Sequence, residues 1–340
     1  MATSDQCSLY IGTNDGLYVG SPYGGGYSAA PLGFQGAGPM RANVVIDVDN
    51  PSRLYAGTTR AGFFRSDDRG ATWTELNLGL VYKDIWSIAQ HPVTRTLYVG
   101  TSPAAIFASD NGGETWSQFR KLDLLPSTMQ WSGPIPPHIS RMKSIGLHAA
   151  NPNLIYGAIE EGWAVRSLDG GETWEQIADG FDHDGHAVAI MPDNESTIIA
   201  TGGKGMYRSE DRGDSWTLSN SGIEECKYTP AHLVVHPSRP NVLVTAVSRS
   251  GPPGWRRPVD PGVFFVRSED QGLSWTMMRE GLPEGYFGVP RALTGDPRNL
   301  DTYYAGMIDG AVWRSDDGAE SFHQLLAGLP SVLSITVAAA

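Results

Sequence analysis

The stretch from Trp86 to Phe119, WSIAQHPVTRTLYVGTSPAAIFASDNGGETWSQF, decides the fold. It holds four short β-rich runs separated by Pro, Gly, Asn and Asp turn signals. Its closing motif, SDNGGETW from Ser109, recurs as SDDRGATW from Ser66, SLDGGETW from Ser167, SEDRGDSW from Ser209 and SEDQGLSW from Ser268. A weaker copy, SDDGAESF from Ser315, has Ala319 for Gly and Phe322 for Trp. The spacings are 43, 58, 42, 59 and 47 residues. Propeller blades repeat at about 40–50 residues, so these are blade spacings with two longer units. Within each unit the motif falls in the hairpin between the third and fourth strands. There Asp or Asn and Ser bond to turn backbone, Gly permits positive φ, and the aromatic ring packs beneath the turn.

A seventh unit is split between the termini. LYIGTNDGLYVG (Leu9 to Gly20) matches LYAGTTRAGFFRS (Leu54 to Ser66) as second and third strands, although SPYGGGYSAAP after it lacks the motif. SVLSITVA (Ser331 to Ala338) aligns with WSIAQ from Trp86 and supplies the missing first strand. The sequence therefore predicts an all-β chain: a single seven-bladed β-propeller over residues 1–340, with four-stranded blades and a ring closed by the C-terminal strand joining the N-terminal blade. Two insertions, 120–140 and 248–262, are expected to act as lids or docking elements, because long Pro-rich loops carrying Trp seldom serve as plain linkers.

Composition bounds the function. The chain has 25 Lys+Arg against 37 Asp+Glu, a net charge of −12, which opposes generic binding to nucleic acid or an anionic membrane surface. No apolar run approaches the roughly 18 residues of a membrane span, and Met1 to Gln6 is too short and polar for a signal peptide, so a cytoplasmic monomer is expected. Cys7 and Cys226, the 2 cysteines, are expected to be free thiols.

The repeated motif resembles that of the Asp-box, or BNR-repeat, propellers, and the resemblance covers nearly the whole chain. Members of that group include sialidases, xyloglucan-active glycoside hydrolases, the sortilin-type receptor propeller and a photosystem II assembly factor. The resemblance implies the fold and leaves the activity open. Set beside sialidases, Arg41, Arg141 and Arg291 would take the part of the arginine triad, and Tyr228 beside Glu224 and Glu225 that of the nucleophile pair. The Arg-Ile-Pro that precedes the first box in that family is absent.

Aligning the first strands of the seven blades gives one level of residues, Asn43, Trp86, Lys143, His186, Ala231, Arg291 and Leu333, and a level two positions earlier, Arg41, Asp84, Arg141, Asp184, Thr229, Val289 and Ser331. A buried structural β position would usually hold Val or Ile, so this charge predicts a site at the top mouth of the channel. Arg41, Arg141, Lys143 and Arg291 would hold an anionic group of a small molecule or saccharide by forked contacts. Trp86, Trp131 and Trp255 would form apolar walls, with His138 and His232 as further ligand-binding groups. His186, Asp184, Asp84 and His183 are the candidate catalytic residues, His186 serving as base in a hydrolysis or elimination. Asp84 and Asp184 pairing with Arg41 and Arg141 in a structural ring is the competing explanation. A divalent metal held by the histidines and aspartates is a further option for the cofactor, which stays open. A protein-interaction scaffold using the same face, or a glycoside hydrolase, are the other functional readings. His91, His148 and His236 align at the turn after the first strand and are expected to be structural.

Overall fold

The computed structural model describes residues 7–226, 228–255, 260–278, 280–283, 285, 286 and 288–338. It contains seven four-stranded antiparallel sheets, the blades of a seven-bladed β-propeller. Blade 1 is built as expected from both termini: Val332–Ala338 pairs with Ser8–Thr13, followed by Gly16–Tyr23 and Gly26–Gly33. The chain divides into two compact units, residues 45–220 and residues 1–44 with 221–340. The first unit holds blades 2 to 5, whose first strands are Val45–Ile46, Asp84–Gln90, Arg141–Leu147 and Gly185–Met191. The second holds blade 1 and blades 6 and 7, whose first strands are Val234–Val235 and Pro290–Gly295. Among the described residues no helix is long and apolar enough to cross a membrane, and Cys7 and Cys226 are buried free thiols.

The six motifs fold into one hydrogen-bonded turn. In blade 4 Ser167 Oγ donates to Asp169 Oδ1 (2.8 Å) and accepts from Gly171 N (2.7 Å), while Thr173 donates through N (2.8 Å) and Oγ1 (2.6 Å) to the Asp169 carboxylate. The same Ser, Asp or Asn, and fifth-position N–H connect in the other five. The fifth residue must take positive φ: it is +96° at Gly171, and Ala319 adopts +73° in the weakest copy. The closing aromatic ring reaches further than its own turn. Trp116 packs edge-on against Phe63 of the preceding blade at 4.7 Å and donates Nε1–H to the Leu76 carbonyl at 3.0 Å. Trp174 also packs on Phe119 of the preceding blade, tilted at 5.6 Å, and Phe322 stacks on Phe265 at 3.9 Å. The motif thus closes its hairpin and fastens that hairpin to the neighbouring sheet. Between blades 3 and 4 this fastening seals a core of Tyr98, Ile106, Leu122, Met142, Ile155, Ile159 and Trp174.

The three turn histidines are buried and structural in geometry. His91 Nδ1 accepts from Val93 and Thr94 N–H groups, His148 Nδ1 from Asn151, and His236 Nδ1 from Ser238 and Arg239. Burial pulls the His91 and His236 imidazoles below the ordinary range.

Candidate functional site

Five of the seven residues aligned by sequence share a backbone device. In blade 3 Ile85 pairs with Thr101 and Ser87 with Gly100, leaving Trp86 as the extra residue of a β-bulge. Lys143 and His186 occupy the same bulge in blades 4 and 5. In the other unit Arg291 and Leu333 do so in blades 7 and 1. A bulged residue leaves the ladder and its side chain is re-aimed, which lets a charged or aromatic group stand at the start of an otherwise apolar strand.

In residues 45–220 the first strands of blades 3, 4 and 5 lie side by side, and their bulges gather a charged cluster. Arg141 stands directly across the ladder from Glu160, the last residue of the second strand Ile155–Glu160. Arg141 Nη1 donates to Glu160 Oε2 at 2.6 Å and Lys143 Nζ donates to Oε1 at 3.1 Å. The three side chains are 15, 13 and 16 % exposed. The Arg141 guanidinium also lies 4.5 Å from the centre of the Trp86 ring, a cation–π contact. On blade 5, His186 Nε2 is 3.1 Å from Asp184 Oδ1. Polar atoms of Glu160, Asp184 and His186 fall within 4.8 Å of one another.

Electrostatics fix both carboxylates as anions. Burial pushes the Glu160 acid up, but the Lys143 charge, the Arg141 hydrogen bond and charge, and His186 together pull it down to about 2. Asp184 is likewise pushed up by burial and more strongly depressed by its bond to His186, by the charges of His186 and Lys143, and by the Glu161 backbone N–H.

Glu160 is the residue that sequence reasoning missed. Counting first strands alone gave an excess of cations, whereas Glu160 occupies both Arg141 and Lys143. The signal was present in YGAIEEGWAV, whose tight turn sets Glu160 opposite the start of the preceding strand. The same turn explains His183: the N–H groups of Gly162 and Trp163 both donate to its carbonyl at 2.8 Å, and its ring stands edge-on to Trp163 at 4.1 Å. His183 is therefore engaged by blade 4. Asp84 opens the first strand of blade 3 opposite Ser102 and is half-buried.

The described residues of both insertions make anchoring contacts. Residues 120–140 form two 3-10 turns, Leu122–Leu124 and Pro126–Gln130, with Leu122 and Trp131 packed into the core of blades 3 and 4. Ser132 N–H donates to the Glu161 carbonyl at 2.9 Å, fixing this loop to the turn that carries Glu160. His138 is exposed and its Nδ1 contacts the Gly133 carbonyl at 2.7 Å, within its own loop. In the second insertion Trp255 is 8 % exposed, and its Nε1 donates to Ser248 Oγ at 3.2 Å. Arg291 lies 5.7 Å from the Trp255 ring. Arg256 and Arg257 lie outside the described residues. Arg41 and His232 belong to the second unit and are half-buried there.

Glu160, Asp184 and His186 have the donor atoms for a divalent ion, but the fit is poor. Both Glu160 oxygens already face cations, and a metal would add positive charge beside Arg141 and Lys143.

No family model matches the chain. A vacuolar protein sorting/targeting protein 10 from Fusarium vanettenii is 30 % identical over 92 residues, 27 % of this chain and 6 % of that protein. The GH74 xyloglucanase of Xanthomonas campestris superposes with a TM-score of 0.63 at 16 % identity, covering 85 % of this chain and 45 % of its own. The GH74 enzyme of Niastella koreensis gives 0.63 at 16 % identity, covering 95 % and 47 %. YCF48 from Cyanidioschyzon merolae gives 0.52 at 14 % identity, covering 84 % and 85 %. At these identities the likeness is one of fold. The chain spans less than half the length of either GH74 enzyme and a small part of the sorting protein.

Proposed function

We propose that this Asp-box-type propeller binds a saccharide on the bulged first strands of blades 3 to 5, without turning it over. The observation that carries the reading is the compensated cluster: Arg141 and Lys143 on Glu160, and His186 beside Asp184, next to the Trp86 indole. An anion would have to displace Glu160 from two cations. A hydroxyl-rich ligand accepts from the N–H groups and donates to the carboxylates without disturbing the pairs, and the indole offers a face to a sugar ring. A neutral saccharide therefore suits the cluster better than the anionic group that the cations alone suggest. Likeness of fold to a xyloglucanase is consistent with such a ligand.

Catalysis by these carboxylates is disfavoured on chemical grounds. Glycoside hydrolysis needs one carboxyl still protonated at working pH, its acidity weakened by its surroundings. Glu160 and Asp184 are both shifted the opposite way. The test is calorimetric titration with neutral xylo- and gluco-oligosaccharides beside sugar acids, with product analysis after long incubation. Neutral oligosaccharides should bind, Trp86→Ala should weaken them about tenfold, and no cleavage should appear. Binding confined to sugar acids, or turnover lost in Glu160→Gln, would overturn the proposal. Binding of neither class, with retention of a protein partner lost in Trp86→Ala, would favour the scaffold reading.

A further inference from the structure

Five of the six motif serines follow an arginine: Arg65, Arg166, Arg208, Arg267 and Arg314. Before Ser109 stands Ala108. The arginines have a repeated task. Arg65 Nη1 donates to the carbonyl of Gly112 in the next blade's turn (3.2 Å) and meets Glu114 (2.8 Å), while its Nε meets Asp67 (3.2 Å). Arg166 does the same with the Arg212 carbonyl (2.7 Å) and Asp214 (2.5 Å). Arg267 does so with the Gly318 carbonyl (3.4 Å), Glu320 (3.7 Å) and its own Glu269 (2.6 Å). One constellation thus receives a guanidinium in three blades. It comprises a turn carbonyl and an acid from the next blade, and in two of them also an acid one residue after the motif serine.

Blade 3 keeps the turn residue of the next blade and the acid after its own serine, Gly170 and Asp110, and lacks the guanidinium. Around Ala108 lies a hollow of about 500 Å³, walled by Tyr98 and Phe119 and rimmed by Asp110, Gln118 and Gly170. Gly170 is the counterpart of Gly112, Arg212 and Gly318, and Asp110 of Asp67 and Glu269. Thr96 Oγ1 donates to Asp110 Oδ1 at 2.6 Å. Blade 7 has the same Thr-to-Asp bond, Thr302 to Asp316 at 3.0 Å, and Asp316 still receives Arg314 at 2.6 Å. The Thr96 contact therefore leaves the aspartate able to take a guanidinium. Glu172, the counterpart of Glu114, is largely exposed and is met instead by Lys121 at 3.4 Å. Gln118 is turned toward Asp123 at 2.8 Å.

We infer that the hollow at Ala108 is a binding site for a guanidinium group carried on an alkyl stem, which would take the place of the arginine found in the other blades. The stem would lie against Tyr98 and Phe119, and the planar fork would face Asp110 and the Gly170 carbonyl. The group comes either from a free small molecule or from an arginine side chain of a partner, and the recognition chemistry is the same.

The experiment uses the whole protein and ligand-detected NMR titration with agmatine, with a blocked Gly-Arg-Gly peptide, and with the same peptide carrying neutral citrulline. Agmatine should bind in the millimolar range, and citrulline should not. Tighter binding of the arginine peptide than of agmatine assigns the site to a partner's side chain, and the reverse order assigns it to a small molecule. Ala108→Arg should place its own guanidinium beside Asp110, raise the unfolding midpoint by about 2 °C and weaken agmatine at least tenfold. Asp110→Asn should weaken agmatine several-fold without raising the midpoint. The inference fails if wild-type protein does not bind agmatine, if Ala108→Arg binds it unchanged, or if citrulline and arginine peptides bind alike.

Discussion

Glu160→Gln tests whether the charged cluster is held by one carboxylate. The substitution keeps shape and one acceptor and removes the charge between Arg141 Nη1 at 2.6 Å and Lys143 Nζ at 3.1 Å. Glu160 is 13 % exposed, so solvent screens the pair little. Its acid falls from the ordinary 4.5 to about 2, and at 1.36 kcal/mol per unit this corresponds to roughly 3 kcal/mol favouring the folded state. The sign follows from the depression. The contribution is complete above the unfolded value near 4.5 and disappears as pH falls through the folded value of about 2. Urea unfolding should therefore find the variant about 3 kcal/mol less stable at pH 7, with two cations left buried without their anion. That gap should close between pH 4.5 and 2. Other carboxylates titrate in both proteins and cancel, except Asp184, which lies within 4.8 Å; repeating the pair in an Asp184→Asn background removes it. A gap unchanged down to pH 2, or no gap at pH 7, would refute the argument that Glu160 neutralises the cations.

Asp169→Ala removes acceptors for Ser167 Oγ, Thr173 N and Thr173 Oγ1 and should cost about 2 kcal/mol in urea unfolding, while Asp169→Asn, the residue type already present at position 111, should cost less than half of that. Gly100→Ala would place a Cβ 2.3 Å from Ser87 Oγ, 2.6 Å from Met142 Cγ and 2.8 Å from the Met142 carbonyl, an overpacking cost of about 3 kcal/mol. Adding Ser87→Ala should recover only part of it, because the backbone oxygen remains, and full recovery would contradict the packing. His91 is held neutral by burial with its acid form disfavoured, so the unfolded chain gains protons first as pH drops below about 6.5. Stability should fall across that window, and His91→Asn should flatten the fall in midpoint measured against pH.

The fold was legible because its cause is local and repeated. Each turn needs a short hydroxyl, a short carboxylate or amide, and a residue tolerant of positive φ at fixed spacing, and those types can be counted along the chain. Terminal closure was legible for the same reason, since Ser331 to Ala338 carries the pattern of a first strand. The level of Trp86, Lys143, His186, Arg291 and Leu333 was found by alignment, although that it is a row of bulges was not. Pairing registers decide it, and a one-residue shift between two strands leaves no mark in either alone. Glu160 escaped for a related reason. It acts from the second strand on groups of the first, so a reading that compared first strands with one another could count Arg141 and Lys143 but not the anion that joins them. The loops carry contacts that spacing did not show: Trp131 packs against the core of blades 3 and 4, and Trp255 donates to Ser248 while Arg291 lies 5.7 Å from its ring.

These errors share a direction, and it bears on where function should be sought. In a repeat protein most conspicuous charges already have partners supplied by the repeat. Arg65, Arg166 and Arg267 clamp the next blade, and Arg141 and Lys143 are met by Glu160 across one ladder. A charge that looks unusual in sequence is therefore weak evidence of a ligand until its cross-strand neighbour is known. A missing charge is stronger evidence, because the acceptors around it persist without the group they were built to receive. Ala108 is the least conspicuous residue of its repeat, yet Asp110 and Gly170, at positions that meet an arginine in other blades, both line the hollow beside it. Among the described residues, blade 3 is where a motif serine stands without its arginine.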